Sequence, residues 1–346
     1  DFVYGSDNVE TNTTGNGMNF VASRGGADII TGGDNTDFIA MGAGDDVVNS
    51  GAEQDFVTTN DMDFASAGFT MLGNNVNGST PAAGNDTINL GSGDDFVVVG
   101  SNLQATDAID GDTGTDYVVF DGDYGAGVTF GADTLKNVEY FIFEQHATND
   151  YNFTLHNNTF SGATATVQAS GFGSDNTLSF DASAETSTAI TINSGAGDDT
   201  ITGGGGNDTI IGGAGDDTIT GGGGADTLIG GSGNNIFEYM SLADSNYASG
   251  SSAWDTITGF DVNDKIDLAE LTITNSQVAG IFDKGDSLNF SELTSSGFFN
   301  ADYSIAVGSD GTNAMIFVDL NGNRDLDNDL AIIISGHANA DAIMQT

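Results

Sequence analysis

Residues 194–238 read SGAGDDTIT GGGGNDTII GGAGDDTIT GGGGADTLI GGSGNNIFE, five nonapeptides in unbroken register. Each block opens on a glycine-rich run and carries an acid or amide at its sixth position: Asp199, Asp208, Asp217, Asp226 and Asn235. A large apolar residue stands at the eighth: Ile201, Ile210, Ile219, Leu228 and Phe237. Only glycine freely takes positive φ, so the glycine-rich half turns the chain sharply and exposes its carbonyls. The other half is a three-residue strand with one residue pointing inward. Two nonapeptides then complete one turn of a flattened parallel coil, with turns about 4.8 Å apart. Acids in blocks n and n+2 stack on one edge, and such a carboxylate column repels itself. A hard dication between turns reverses the sign, because Ca²⁺ takes six to eight oxygens from carboxylates and backbone carbonyls.

The same register runs through residues 14–58, with Asn19, Asp28, Asp37, Asp46 and Asp55 at position six and Val21, Ile30, Ile39, Val48 and Val57 at position eight. Extended backward, it puts Asp1 and Val3 inside a block whose start is missing, so the expectation is a segment of a longer protein. A middle array at 81–119 places Asp86 and Asp95 in register and, after a three-residue insertion, Asp107 and Asp116.

The pattern GGxGxDxUx resembles the RTX calcium-binding nonapeptide repeat. The resemblance is closest over 194–238 and more degenerate over 14–58 and 81–119. It implies an all-β fold, a calcium-bound parallel β-roll or β-helix solenoid, with several Ca²⁺ ions held by position-six carboxylates and glycine-region carbonyls. The ligands it implies are Asp28, Asp37, Asp46, Asp55, Asp86, Asp95, Asp107, Asp116, Asp199, Asp208, Asp217 and Asp226. The pairs it implies are Asp199–Asp217, Asp208–Asp226, Asp28–Asp46 and Asp37–Asp55. Where Asn19 or Asn235 replaces Asp, a site persists with less charge or is vacant.

Between 120 and 193 the glycines thin out, yet apolar strand centres continue at Val118, Phe130, Phe143, Leu155, Val167, Phe180 and Ile192. Their spacing of about twelve fits a coil with longer half-turns; a small inserted β-sandwich is the alternative. Residues 59–80 break the register and read as a loop. The segment WDTITGFDVNDKIDLAEL, from Trp254, resembles the stretch that closes the roll in serralysin-type and other type I secreted proteins. Residues 239–346 as a whole resemble a capping and type I secretion module. Asp319, Asn321, Asn323 and Asp325 alternate oxygen ligands as calcium loops do, although Arg324 and Leu330 depart from the EF-hand template. A non-EF calcium turn and a plain polar hairpin both remain open there.

Composition narrows the function classes. Five Lys and Arg face 51 Asp and Glu, eight of the acids being Glu, for a formal charge of −46. Nucleic-acid binding needs clustered basic residues, and anionic membrane surfaces repel such a chain. Glycine is about twice its usual ~7%. Cysteine is absent, which excludes disulfides and thiolate metal sites. No apolar run reaches the ~18 residues of a membrane-spanning helix. Nor do the first residues, DFVYGSDNVE, form a secretory leader.

A catalytic constellation is not legible. His146, His156 and His337 are far apart, and neither H-E-x-x-H nor G-x-S-x-G occurs. Gly203–Gly206 lacks the lysine of a phosphate loop, and sequons such as Asn12 and Asn289 are expected by chance in so Asn- and Thr-rich a chain. Trp254 reads as core near the end of the roll.

Two functional classes follow. The first is a non-enzymatic structural protein of the bacterial cell surface, resembling S-layer proteins with RTX repeats and exported by type I secretion. Its expected partners are copies of itself in a calcium-dependent assembly and a cell-surface polysaccharide bound through a preceding segment, with no nucleic acid and no membrane insertion. The second is the calcium-folding and export portion of a larger secreted enzyme, toxin or adhesin.

Overall fold

Glycine corners and single inward-facing apolar residues leave the chain little choice but short strands, and every regular element among the described residues is a β-strand. The computed structural model describes residues 2–5, 8–23, 25–58, 85–100, 103–144, 150–157, 159–160, 162, 164–241, 244–245, 254–261, 263–268, 278–282, 305–309, 312–318 and 330–336. The loop expected at 59–80, the turn at Asp319, Asn321, Asn323 and Asp325, and the chain after 336 lie outside them. The fold divides into two units, 1–172 and 173–346.

In the first unit one sheet stacks Phe2–Tyr4, Asn19–Ala22, Asp37–Ala40, Phe56–Thr58, Phe96–Gly100, Tyr117–Asp121, Tyr140–Phe143 and Thr164–Gln168, each parallel to the next. The intervening strands form a second parallel sheet: Thr11–Thr13, Ile29–Gly33, Val47–Gly51, Thr87–Asn89, Ala108–Asp110 and Leu135–Lys136. Strands that alternate between two parallel sheets are the signature of a coil, one turn per pair of strands. The position-eight residues Val21, Ile39 and Val57 of one sheet and Ile30 and Val48 of the other are fully buried. Each contributes roughly 1.5–3 kcal/mol of burial.

Outward on the first sheet runs a column of half-buried rings. Phe20, Phe38, Phe56, Phe96, Tyr117 and Tyr140 stack with centroids 5.0, 4.9, 5.4, 4.3 and 4.6 Å apart and planes within 17°. Phe56 and Phe96 are adjacent turns although 40 residues separate them, against 18 between Phe20 and Phe38. Further along, the interior is filled by aromatics. Phe120 lies 5.0 Å from Phe143 and 4.8 Å from Phe153, and Tyr124–Thr129 pairs in parallel with Tyr151–Thr154.

The second unit repeats the plan. Ala189–Asn193, Thr209–Ala214, Thr227–Ser232 and Asp255–Thr258 are successive parallel neighbours. So are Leu178–Asp181, Thr200–Gly204, Thr218–Gly222, Ile236–Glu238 and Lys265–Asp267. The buried stacks are Ile192, Ile210, Leu228 and Ile257 on the first sheet and Phe180, Ile201, Ile219 and Phe237 on the second. From Ala189–Asn193 to Thr227–Ser232 the strands run to five or six residues rather than three, and from Thr200–Gly204 on the glycines after each apolar centre are part of the strand, as Gly213 is opposite Gly231. Two blocks on, the corner at Gly215 (φ 136°) approaches the carbonyl of Gly197 so closely that no side chain fits.

Beyond Asp255–Thr258 the coil gives way to other pairing. Leu330–Ser335 adds in parallel, followed by Ala314–Val318 and Ile305–Ser309 antiparallel. Trp254 is buried there, edge-on to Phe317 at 5.8 Å, in the core position its sequence context indicates. Among the described residues no helix is long and apolar enough to cross a membrane.

Candidate metal centres

Position six stands at the corner-to-strand junction, immediately before the strand, where a backbone N–H points at the following turn. An Asp there accepts it. In the second unit Asp217 Oδ1 takes the N–H of Asp199 at 3.0 Å, and Asp199 Oδ1 takes that of Leu178 at 2.8 Å. On the other edge Asp226 Oδ1 takes the N–H of Asp208 at 2.7 Å, and Asp208 Oδ1 that of Ile190 at 2.7 Å. The first unit carries two more such ladders. One joins Glu10, Asp28, Asp46, Asp86 and Asp107 at 2.8 to 3.1 Å. The other joins Asn19, Asp37, Asp55, Asp95 and Asp116 at 2.5 to 3.0 Å. Every position-six Asp named from 28 to 226 is thus in a ladder, and the four pairs anticipated from the repeat are neighbours.

What the ladders leave over is the second oxygen. Oδ2 of Asp28, Asp46, Asp55, Asp95, Asp116, Asp199, Asp208, Asp217 and Asp226 is buried without a hydrogen-bond partner. These side chains are at most 1% exposed, and only Asp86 of the set is half-buried. Oδ2 of Asp37 and Asp107 is covered, by the N–H of Gly33 and of Gln104. Burial pushes Asp46, Asp55, Asp95, Asp116, Asp199 and Asp226 up to about 7, and neighbouring carboxylates add to the rise. Asp86, Asp208 and Asp217 are pushed up to about 6, and Asp107 upward, for the same first cause.

The orphaned oxygens face carbonyls. A Cβ built on Gly203 would overlap Asp208 Oδ2 and lie 2.5 Å from Gly221 O; one on Gly212 would overlap Asp217 Oδ2 and lie 2.7 Å from Gly230 O. The first glycine of a block therefore keeps open a space walled by one carboxylate oxygen and by a carbonyl from the next turn. Folded proteins seldom leave buried carboxylate oxygens unsatisfied. A cradle with only oxygen donors and net negative charge fits a hard cation such as Ca²⁺. Among the described residues no three His, Cys, Asp or Glu side chains converge in metal-binding geometry, so carbonyls must complete any shell.

Asparagine changes the chemistry. Asn19 Nδ2 donates to Gly15 O at 3.0 Å, Gly17 O at 2.5 Å and Asp37 Oδ1 at 2.7 Å. The amide nitrogen thus satisfies two carbonyls and a carboxylate oxygen that a carboxylate at this position could not. Asn235 similarly accepts from Asp217 N and donates Nδ2 to Asp264 Oδ1 at 3.1 Å.

Three acids continue the ladders without having been read from the register. Glu139 Oε2 accepts the N–H of Asp116 at 2.9 Å, Asp255 Oδ1 that of Asp226 at 2.9 Å, and Asp264 Oδ1 that of Asn235 at 2.9 Å. Their spacing is 23 or 29 residues instead of 18. The signal that finds them is local: an acid two residues ahead of an apolar strand centre, buried at Ile257 and Phe141 and half-buried at Ile266, as in Asp255-Thr-Ile-Thr, Glu139-Tyr-Phe and Asp264-Lys-Ile.

A two-sheet parallel coil with buried carboxylate ladders defines a cation-binding β-solenoid. The family model of the RTX calcium-binding nonapeptide repeat matches residues 13–48, 25–57, 82–102, 191–219 and 202–237. The chain therefore carries RTX repeats in both units, and the ions such repeats bind are calcium, at multiple sites. No curated protein matches the chain.

Proposed function

We propose that this chain is an extracellular, calcium-folded structural protein without catalytic activity. In this reading it is a component of an S-layer-type surface lattice exported by type I secretion. The observation that carries the reading is the set of buried Oδ2 atoms, distributed over ladders in both units rather than gathered at one centre. A residue set built for catalysis converges; this one is spread along a scaffold.

The folding step belongs to the chain's own residues. The position-six Asp side chains use Oδ1 to tie adjacent turns, and the first glycines hold the cradle open for Oδ2. In the unfolded chain the same carboxylates are hydrated and mutually repelling. Bound Ca²⁺ supplies the positive charge that lets both oxygens stay ionised inside the roll, and an ion bound only to the folded form adds its binding free energy to folding. A chain with 51 acids in a calcium-poor cytosol remains extended, and millimolar external calcium drives it into the coil.

Electron microscopy of the purified protein with and without Ca²⁺ tests the proposal. Ordered sheets that form with calcium and dissolve with chelator are expected. Monomers that persist at high protein and calcium concentration overturn the lattice reading in favour of an export portion of a larger protein.

A further inference from the structure

The ladder through Asp208 and Asp226 does not stop where the repeats stop. Asp255 continues it from outside the matched segments, and its side chain is fully buried. Its Oδ1 holds the N–H of Asp226 at 2.9 Å, in the manner of Asp226 toward Asp208. Oδ2 of Asp226 is buried without a hydrogen-bond partner, and Oδ2 of Asp255 is buried with only the Tyr239 hydroxyl to interact with it. The Tyr239 hydroxyl and the Asp244 carboxyl lie close enough to act electrostatically on the pair. The N–H of Asp255 meets no further carboxylate but Ser245 Oγ at 2.8 Å, and Ser245 Oγ in turn donates to Ala331 O. The outer edge of Asp255–Thr258 pairs with Leu330–Ser335.

We propose that Asp226 and Asp255 hold a further Ca²⁺ one turn beyond the repeats, and that this ion fastens the non-repetitive strand Leu330–Ser335 to the end of the roll. The inference rests on the reading of the repeats as calcium sites. Two neighbouring buried carboxylates with oxygens left over from the ladder are the donor set offered upstream by the pairs Asp28–Asp46, Asp199–Asp217 and Asp208–Asp226. Here, however, one of the two strands is paired directly with the non-repetitive strand Leu330–Ser335. Occupancy of this site therefore communicates calcium to a part of the chain that has no nonapeptides of its own.

The test counts calcium ions on the full chain by native mass spectrometry, comparing the unaltered protein with Asp255→Asn. Asparagine already stands at the register positions of Asn19 and Asn235, and its Oδ1 keeps the bond to Asp226 N–H, so the fold is preserved. The expected result is one ion fewer, with hydrogen exchange at 330–335 raised and exchange at 200–222 unchanged. An unchanged count overturns the proposal, and so does an unchanged exchange rate at 330–335. A second measurement avoids any acid variant: Trp254 is the chain's one tryptophan and adjoins Asp255. Terbium bound in place of calcium should luminesce on tryptophan excitation and fall dark in Trp254→Phe; no sensitised emission from protein loaded with terbium overturns the site. A chain that binds no calcium at all would instead defeat the reading of the repeats.

Discussion

Asp217 and Asp199 are joined by a single bond, from the N–H of Asp199 to Oδ1 of Asp217 at 3.0 Å, while Asp217 Oδ2 is buried and unpartnered. One oxygen thus sets the register between turns and the other is left to a cation. The same division recurs in all four ladders, and it makes the fold and its metal dependence a single property.

Acid should partly replace calcium. Asp46, Asp55, Asp95, Asp116, Asp199 and Asp226 rise on burial from 3.8 to about 7, so the folded chain holds more protons than the unfolded one across that window. Folding stability from these groups is complete below 3.8 and is lost as pH climbs toward 7. Metal-stripped protein should show β circular dichroism at about pH 4.5 that disappears by about pH 7.5. With saturating Ca²⁺ the signal should persist at the higher pH, and calcium uptake near pH 6 should release protons. Metal-stripped protein equally unfolded at both pH values would contradict the assignment.

The cradle glycines should be selective. Gly212→Ala places a methyl against Asp217 Oδ2 and Gly230 O, whereas nothing stands within 4 Å of a Cβ on Gly17. Calorimetric titration should show Gly212→Ala weakening one class of calcium sites by about tenfold or more, a loss of ~1.4 kcal/mol. Gly17→Ala should bind as the unaltered chain does. Equal effects from both would remove the cradle from the argument.

Asn19→Asp should create a site. The amide that now satisfies Gly15 O, Gly17 O and Asp37 Oδ1 would be replaced by a carboxylate facing the Asp37 carboxylate. One additional bound Ca²⁺ is expected by native mass spectrometry, together with a lower melting temperature without metal. A variant unchanged in both would show that the amide is not standing in for an ion.

The aromatic column should contribute stability and no affinity. Phe56 stacks on Phe38 at 4.9 Å and on Phe96 at 5.4 Å. Phe56→Ala loses two ring pairs, roughly 1–3 kcal/mol beyond the lost burial. Denaturant midpoints at saturating calcium should fall accordingly while the calcium count stays constant.

The repeats were legible because each position answers to one requirement. Position six must accept an N–H and face the cradle, position eight must fill the interior, and the first glycine must leave room. Asp199, Ile201 and Gly203 each satisfy one of these with few substitutes. The acids Glu139, Asp255 and Asp264 escaped the register because their turns contain more residues, although their local acid–x–apolar pattern is intact. The antiparallel pairing of Ala314–Val318 with Leu330–Ser335 was not legible for another reason. Partners there are set by contacts across the sheet, and no period along the chain encodes them. Nor does sequence alone reveal that Asn19 spends its amide on three oxygens; that depends on where Gly15, Gly17 and Asp37 end up.

The coil's register on the two sides of residues 59–84 is continuous. Asp46 meets Asp86 and Asp55 meets Asp95 across 40 residues, as Asp37 meets Asp55 across 18. Phe96 resumes the ring column directly above Phe56. The roll counts turns, not residues. Each doubling of an excursion at such a corner costs only ~0.6 kcal/mol in closure entropy. The register between successive turns is consequently indifferent to how many residues join them, so insertions of different length can be exchanged while the metal-bearing scaffold is inherited unaltered.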